Sequence, residues 1–193
     1  MLTESPLWLV NSRNRAWSAL HLLFVCTGNI CRSPTAERLA VAYGDRFGSG
    51  NVMVSSAGTR AVVGHPIHVE AVQVLEQLGG YAGEFNARQL TARIASDADL
   101  ILTMTKSHRD SVLGLAPSKL HRTFTLAEAA QLVSRFDPDT VADLSSLRSR
   151  LPASDIPDVP DPIGHGPEAF EAAGSQIFEL LPPVLAVCAR SSD

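Results

Sequence analysis

The stretch HLLFVCTGNICRSPTAE, residues 21–37, runs from an unbroken apolar segment through a Gly-Asn turn into Arg32, Ser33 and Pro34. An apolar run without polar alternation suits a strand covered on both faces. Ser33-Pro34 then marks a helix start, with proline at the first helical position. Ala36, Leu39, Ala40, Tyr43 and Phe47 follow at helical spacing and are expected to face a core. Strand, short loop and helix in this order are the opening of a βαβ protein.

Such a loop directs several backbone N–H groups at one point, where the helix dipole adds partial positive charge. It therefore prefers an anion. Gly28 permits the backbone angles this requires. Arg32 brings a planar fork able to grip two oxygens of an oxyanion at once. Cys26, at the strand end, is expected beneath that anion, and the same amides and dipole favour its thiolate. A thiolate under a phosphate is a nucleophile aimed at phosphorus. A bare Cys-x5-Arg pair is a weak signal; the strand, Gly-Asn, Arg-Ser-Pro and following helix together are specific. A zinc site is disfavoured, because Cys26 and Cys31 have no second Cys or His pair nearby.

The rest of the chain repeats the alternation. NVMVSSAGT (51–59), DLILTM (99–104) and the shorter HRTFTL (121–126) read as further strands. Helices are expected over 68–80, over 106–117 up to a proline, in LAEAAQLVSRF, weakly in TVADLSSLRSRL, and in EAFEAAGSQIFELL. Pro182-Pro183 is expected to break or kink the last of these. Residues 152–167 carry five prolines and read as a stiff acidic loop. The expected fold is a single α/β domain, a doubly wound four-stranded parallel sheet flanked by helices. Its ligand belongs beyond the carboxyl end of strand one, in the loop before the first helix.

A net charge of −4 argues against nucleic acid as a partner, since no basic field exists to displace counterions from a backbone. The four-residue apolar run Leu7–Val10 is too short for a secretory core, and no membrane span is expected. Three cysteines do not make a secreted disulfide framework, which points to the cytoplasm. Residues 1–20 are expected as an N-terminal extension and 21–190 as the catalytic domain. Trp8 and Trp17 fall in the extension, which admits a docked amphipathic helix, a subunit contact or a frayed start.

VCTGNICRSPTAE, followed in order by SSAGTR, ARQL, DLILTM and VPDPIGHGPEAF, resembles the low-molecular-weight protein-tyrosine phosphatases. The resemblance implies that Cys26 attacks the phosphate and forms a phosphocysteine. It implies that Arg32 binds the phosphate and stabilises the transition state, and that Ser33 hydrogen-bonds the sulfur. Thr27, Gly28, Asn29, Ile30 and Cys31 complete the loop, with Asn29 stiffening it and Ser56 in support. Asp161, in an Asp-Pro pair, matches the general acid; Asp137-Pro138 is a decoy, and Asp158 reads as a loop-stabilising or solvated carboxylate. Cys31 has two readings: a reversible disulfide partner of Cys26, which the resemblance implies, or a small buried residue behind the loop. Neither cofactor nor metal is implied. The implied partner is a tyrosine-phosphorylated protein, with a cognate tyrosine kinase.

Three departures bear on substrate. Ile163 stands where the family usually has an aromatic, RAVVG (60–64) holds none, and Phe85 replaces a histidine before the Ala-Arg pair. His65, His68, His108 and His165 read as surface or capping residues, and Arg88 as a salt-bridge former. Competing readings are a thiol-coupled arsenate reductase, a phosphoarginine phosphatase, and a non-catalytic phosphoprotein binder. The first lacks further cysteines after the third strand; the second carries threonine where this chain has Ile30.

Overall fold

Apolar residues placed at two alternating periods sort this chain into a sheet with helices on both faces. The computed structural model describes residues 19–47, 52–152 and 156–191; the extension with Trp8 and Trp17, and the side chain of Phe47, lie outside them. The strands are β1 (Leu20–Cys26), β2 (Val52–Gly58), β3 (Leu100–Thr103) and β4 (Thr123–Thr125). All pair in parallel, in the order β2-β1-β3-β4.

Strand β1 is central and nearly all apolar, as a strand covered twice must be. Leu22, Phe24 and Cys26 pack on one face, Leu23 and Val25 on the other. The first face meets helices α1 (Arg32–Phe47), α2 (Val69–Gln77), α5 (Leu126–Phe136) and α7 (Pro167–Arg190). The second is closed by the shorter α3 (Ala92–Asp97) and α4 (Lys106–Leu115). The small α6 (Leu144–Leu147) follows α5. Ala36, Leu39 and Ala40 are buried in the core as their spacing predicts, with Tyr43 partly buried against it.

Two elements differ from the sequence expectation. Helix α3 is too short to show periodicity and is held by its cap, the Thr91 side chain accepting from Ile94 N. Helix α7 does not stop at Pro182-Pro183 but continues to Arg190. Prolines inside a helix cost on the order of 3 kcal/mol each. Beyond them Val184, Leu185, Val187 and Cys188 are buried, and each apolar side chain returns roughly 1.5–3 kcal/mol. Packing therefore outweighs local propensity. Helix α7 is long and apolar enough to cross a membrane by length and composition only. Its inner face, from Phe170 through Leu185, is buried in the core against α1, α2 and α5.

Candidate active site

The loop between β1 and α1 is shaped from outside. The carbonyls of Cys26, Thr27, Gly28 and Ile30 accept hydrogen bonds from the backbone N–H groups of Thr59, Arg60, Val62 and His68, at 2.9, 2.9, 2.9 and 2.7 Å. A trans peptide is planar, so a carbonyl turned outward sends the next N–H inward. The amides of Thr27, Gly28, Asn29 and Cys31 thus converge on the hollow of the loop. Asn29 adopts φ 54°, in the left-handed region where asparagine is tolerated. Gly58 lies so close beneath that a Cβ there would stand 2.5 Å from the Thr27 carbonyl oxygen.

The Asn29 side chain is fully buried and fully used. Its Oδ1 accepts from Arg88 N at 2.9 Å, which fixes the amide orientation. Its Nδ2 donates to Ser33 Oγ (2.9 Å) and Ser56 Oγ (2.8 Å). Ser56 in turn donates to Glu37 Oε2 at 2.5 Å. Ser33 Oγ, already accepting from Asn29, has its own proton to offer Cys26 Sγ, 3.0 Å away. From the Asn29 amide the network therefore branches, one arm donating through Ser56 to Glu37 and the other through Ser33 to the Cys26 sulfur.

Arg32 is buried beside it, with 3% of its side chain exposed. Its Nη1 donates to the Val159 carbonyl at 3.1 Å, and Nη2 meets Asp161 Oδ2 at 2.5 Å. Among the described residues its Nε is buried with no partner. A buried donor left unsatisfied costs about 1–3 kcal/mol, and an oxyanion in the loop is the group that relieves it. Asp161, 45% exposed, therefore stands at the mouth of the same hollow. Its Oδ1 accepts from Ile163 N at 3.2 Å.

Asp158 caps helix α4, accepting from Lys106 N at 3.0 Å. Asp137 is the left-handed C-cap of α5 and pairs with Arg190, away from the loop. Cys31 is buried and unbridged; burial first, then Cys26, push its thiol up to about 12, so at neutral pH it is a thiol. His68 caps α2, its side chain accepting from Glu70 N. The rim is aliphatic: Val62, Val63 and Ile163 are exposed.

Three residues do more than their sequence context suggested. Arg88 makes no ion pair among the described residues; besides its Asn29 bond, Nε donates to the Ser56 carbonyl at 2.7 Å. Glu37 carries no local signal of a role, and only the β2 register brings Ser56 to it. His108 is neither a surface residue nor a helix cap. It is 7% exposed, with Nε2 2.8 Å from Thr27 Oγ1 and Nδ1 2.9 Å from Thr105 Oγ1. It forms part of a cavity of about 500 Å³ with Thr27, Arg60 and Gln89. Among the described residues no group of three or more His, Cys, Asp or Glu has the arrangement to hold a metal.

Known proteins similar to this chain include phosphatases. The family model for low molecular weight phosphotyrosine protein phosphatase matches residues 21–190. The probable low molecular weight protein-tyrosine-phosphatase EpsP of Ralstonia solanacearum is 40% identical over 110 residues, covering 57% of this chain and 72% of its own. The tyrosine phosphatase AmsI of Erwinia amylovora superposes with a TM-score of 0.68 at 28% identity, over 87% of this chain and 92% of that one. The YwlE arginine phosphatase of Geobacillus stearothermophilus gives a TM-score of 0.67 at 28% identity, over 86% and 91%.

Proposed function

The chain belongs to the low molecular weight phosphotyrosine protein phosphatases, which are hydrolases, and on that premise we propose that it removes phosphate from tyrosine in proteins through a phosphocysteine intermediate. The observation that carries this reading is Arg32, buried with Nε unpartnered and Nη2 on Asp161. It puts an oxyanion clamp and a carboxyl group at one mouth, with Cys26 below.

In the first step Cys26 Sγ attacks phosphorus and the bond to the aryl oxygen breaks. Asp161 gives that oxygen a proton, so phenol leaves. Negative charge on the phosphoryl oxygens is met by the inward amides of the loop and by Arg32. In the second step water attacks phosphorus, Asp161 takes its proton, and the sulfur–phosphorus bond breaks. The Ser33 hydroxyl stabilises the departing sulfur; its bond from Asn29 holds it there. Residues 21–190 are proposed as the catalytic domain, supported by the range of the family match. We assign its action to the cytoplasm, on tyrosine-phosphorylated proteins made by a cognate kinase; a nucleophilic Cys26 must stay reduced to react, which supports that compartment.

The test is steady-state hydrolysis of an aryl phosphate by wild type and Cys26→Ser, with phosphotyrosine, phosphoserine and phosphoarginine peptides compared. Equal rates for wild type and Cys26→Ser would overturn the mechanism. Phosphoarginine hydrolysis is a second reading, favoured by the aliphatic rim of Val62, Val63 and Ile163; a preference for that peptide would replace the substrate assignment and keep the chemistry.

A further inference from the structure

His108 is a buried titratable group that the two steps above do not use. Its ring touches the residue immediately after the nucleophile, since Nε2 lies 2.8 Å from Thr27 Oγ1. Its other nitrogen, Nδ1, lies 2.9 Å from the hydroxyl of Thr105, the N-cap of α4. The first turn of α4 is also the anchor of the loop bearing Asp161. Lys106 N donates to Asp158 Oδ1 at 3.0 Å, and Val159 N donates to the Met104 carbonyl at 2.8 Å. Two side-chain routes therefore join the Asp161 loop to the nucleophile's loop, beside the backbone link from Val159 through Met104 to Val25 in β1. One is Arg32, bonded to both the Val159 carbonyl and Asp161. The other runs from Thr27 through His108 and Thr105 to Asp158, without Arg32.

The first route cannot serve alone during turnover, because a phosphate in the loop draws on the same guanidinium. The second makes no demand on it. Burial, with Arg32 second, lowers the His108 pKa to about 4, while Asp161 and Asp158 oppose the shift and Arg60 adds to it. The ring is then neutral at physiological pH, with one nitrogen donating and one accepting, so both hydroxyls are satisfied in fixed directions.

We propose that His108 is a positioning residue, which couples the phosphate loop at Thr27 to the first turn of helix α4 and so keeps Asp161 in register with Cys26 while Arg32 is engaged by phosphate. The proposal rests on the phosphatase reading and adds a residue to it. No proton or electron passes through the ring in this role.

Two isosteric amides separate this role from plain helix capping. Glutamine can place its Nε2 where the ring has Nε2 and reach Thr27; asparagine can reach only the Thr105 side. The readout is kcat/KM for phenyl phosphate, whose leaving oxygen needs a proton, against an activated aryl phosphate, whose leaving oxygen does not. His108→Asn should lose about tenfold more on phenyl phosphate than on the activated ester, the scale of a misplaced catalytic group. His108→Gln should recover most of that loss. Thr27→Val should show the same leaving-group signature, and combining it with His108→Asn should add little. Equal losses on both esters, asparagine serving as well as glutamine, or losses that multiply in the double variant would each overturn the proposal. If His108→Asn does not fold, Thr27→Val alone carries the readout, and equal losses there overturn it. A wild type inactive on both esters would overturn the phosphatase reading itself, and this one with it.

Discussion

Arg32 and Asp161, 129 residues apart in sequence, meet at 2.5 Å, one buried and the other half-exposed. The contact gives the carboxyl group its position at the mouth of the hollow. Asp161→Ala removes both that contact and the proposed proton donor. Its kcat/KM on phenyl phosphate should fall by roughly 10²–10³, and far less on an activated aryl ester. A plot of rate against leaving-group pKa checks this; parallel losses across the series would assign Asp161 a merely structural part.

Ser33→Ala should act later in the cycle. Without the hydroxyl 3.0 Å from Cys26 Sγ, the sulfur leaves less readily and the phosphoenzyme lasts longer. Rapid-quench measurement with an activated ester should show a larger burst and a turnover lowered by about tenfold or more, the scale of a lost transition-state donor. An unchanged burst would argue against the role.

Asn29→Ala deletes two buried hydrogen bonds and a part-buried third, and forces alanine to φ 54°. Unpaired Arg88 N, Ser33 and Ser56 together with the strained backbone should cost about 2–4 kcal/mol. Chemical denaturation should register it, along with a fall in kcat/KM.

Gly58→Ala and Gly174→Ala separate site from scaffold. At Gly58 an added Cβ would meet the Thr27 carbonyl at 2.5 Å; at Gly174 it would meet Val74 Cγ1 at 2.4 Å, between α7 and α2. Both should destabilise by about 1–3 kcal/mol, the usual cost of overpacking. Only the first should depress kcat at a temperature where both variants are folded.

Stability should fall with acidity in a window set by His108. Its ordinary pKa is 6.5 and burial brings it to about 4 in the fold. As pH drops through 6.5 the unfolded chain takes up a proton that the folded one refuses. Stability thus declines between about pH 6.5 and 4, by at most about 1.4 kcal/mol per pH unit from this residue, and levels off below. Urea midpoints against pH should show the slope, flattened in His108→Gln.

The sheet and the loop were legible because their signals are local. HLLFVC needs no context to read as a covered strand, and Gly-Asn followed by Arg-Ser-Pro carries its own geometry. Asp161 could be singled out from Asp137 by its neighbours in sequence. His108 could not be singled out from His65 or His165, because its meaning comes from Thr27, 81 residues away. Glu37 was hidden for the same reason, and α7 outran its prolines because burial, which sequence shows poorly, decided the matter.

The outward carbonyls of the loop are met by backbone donors at Thr59, Arg60, Val62 and His68. A main-chain amide is supplied by any residue but proline, so the side chains at these positions are released from the task of holding the catalytic loop. Natural selection or an engineer can exchange Arg60, Val62 and Val63 to retune which phosphorylated surface docks, while the reaction beneath stays as it is. Length is the quantity that cannot drift. One residue gained or lost between Thr59 and His68 would slip the donors that follow it past their carbonyls, so retargeting should tolerate many substitutions there and almost no insertions.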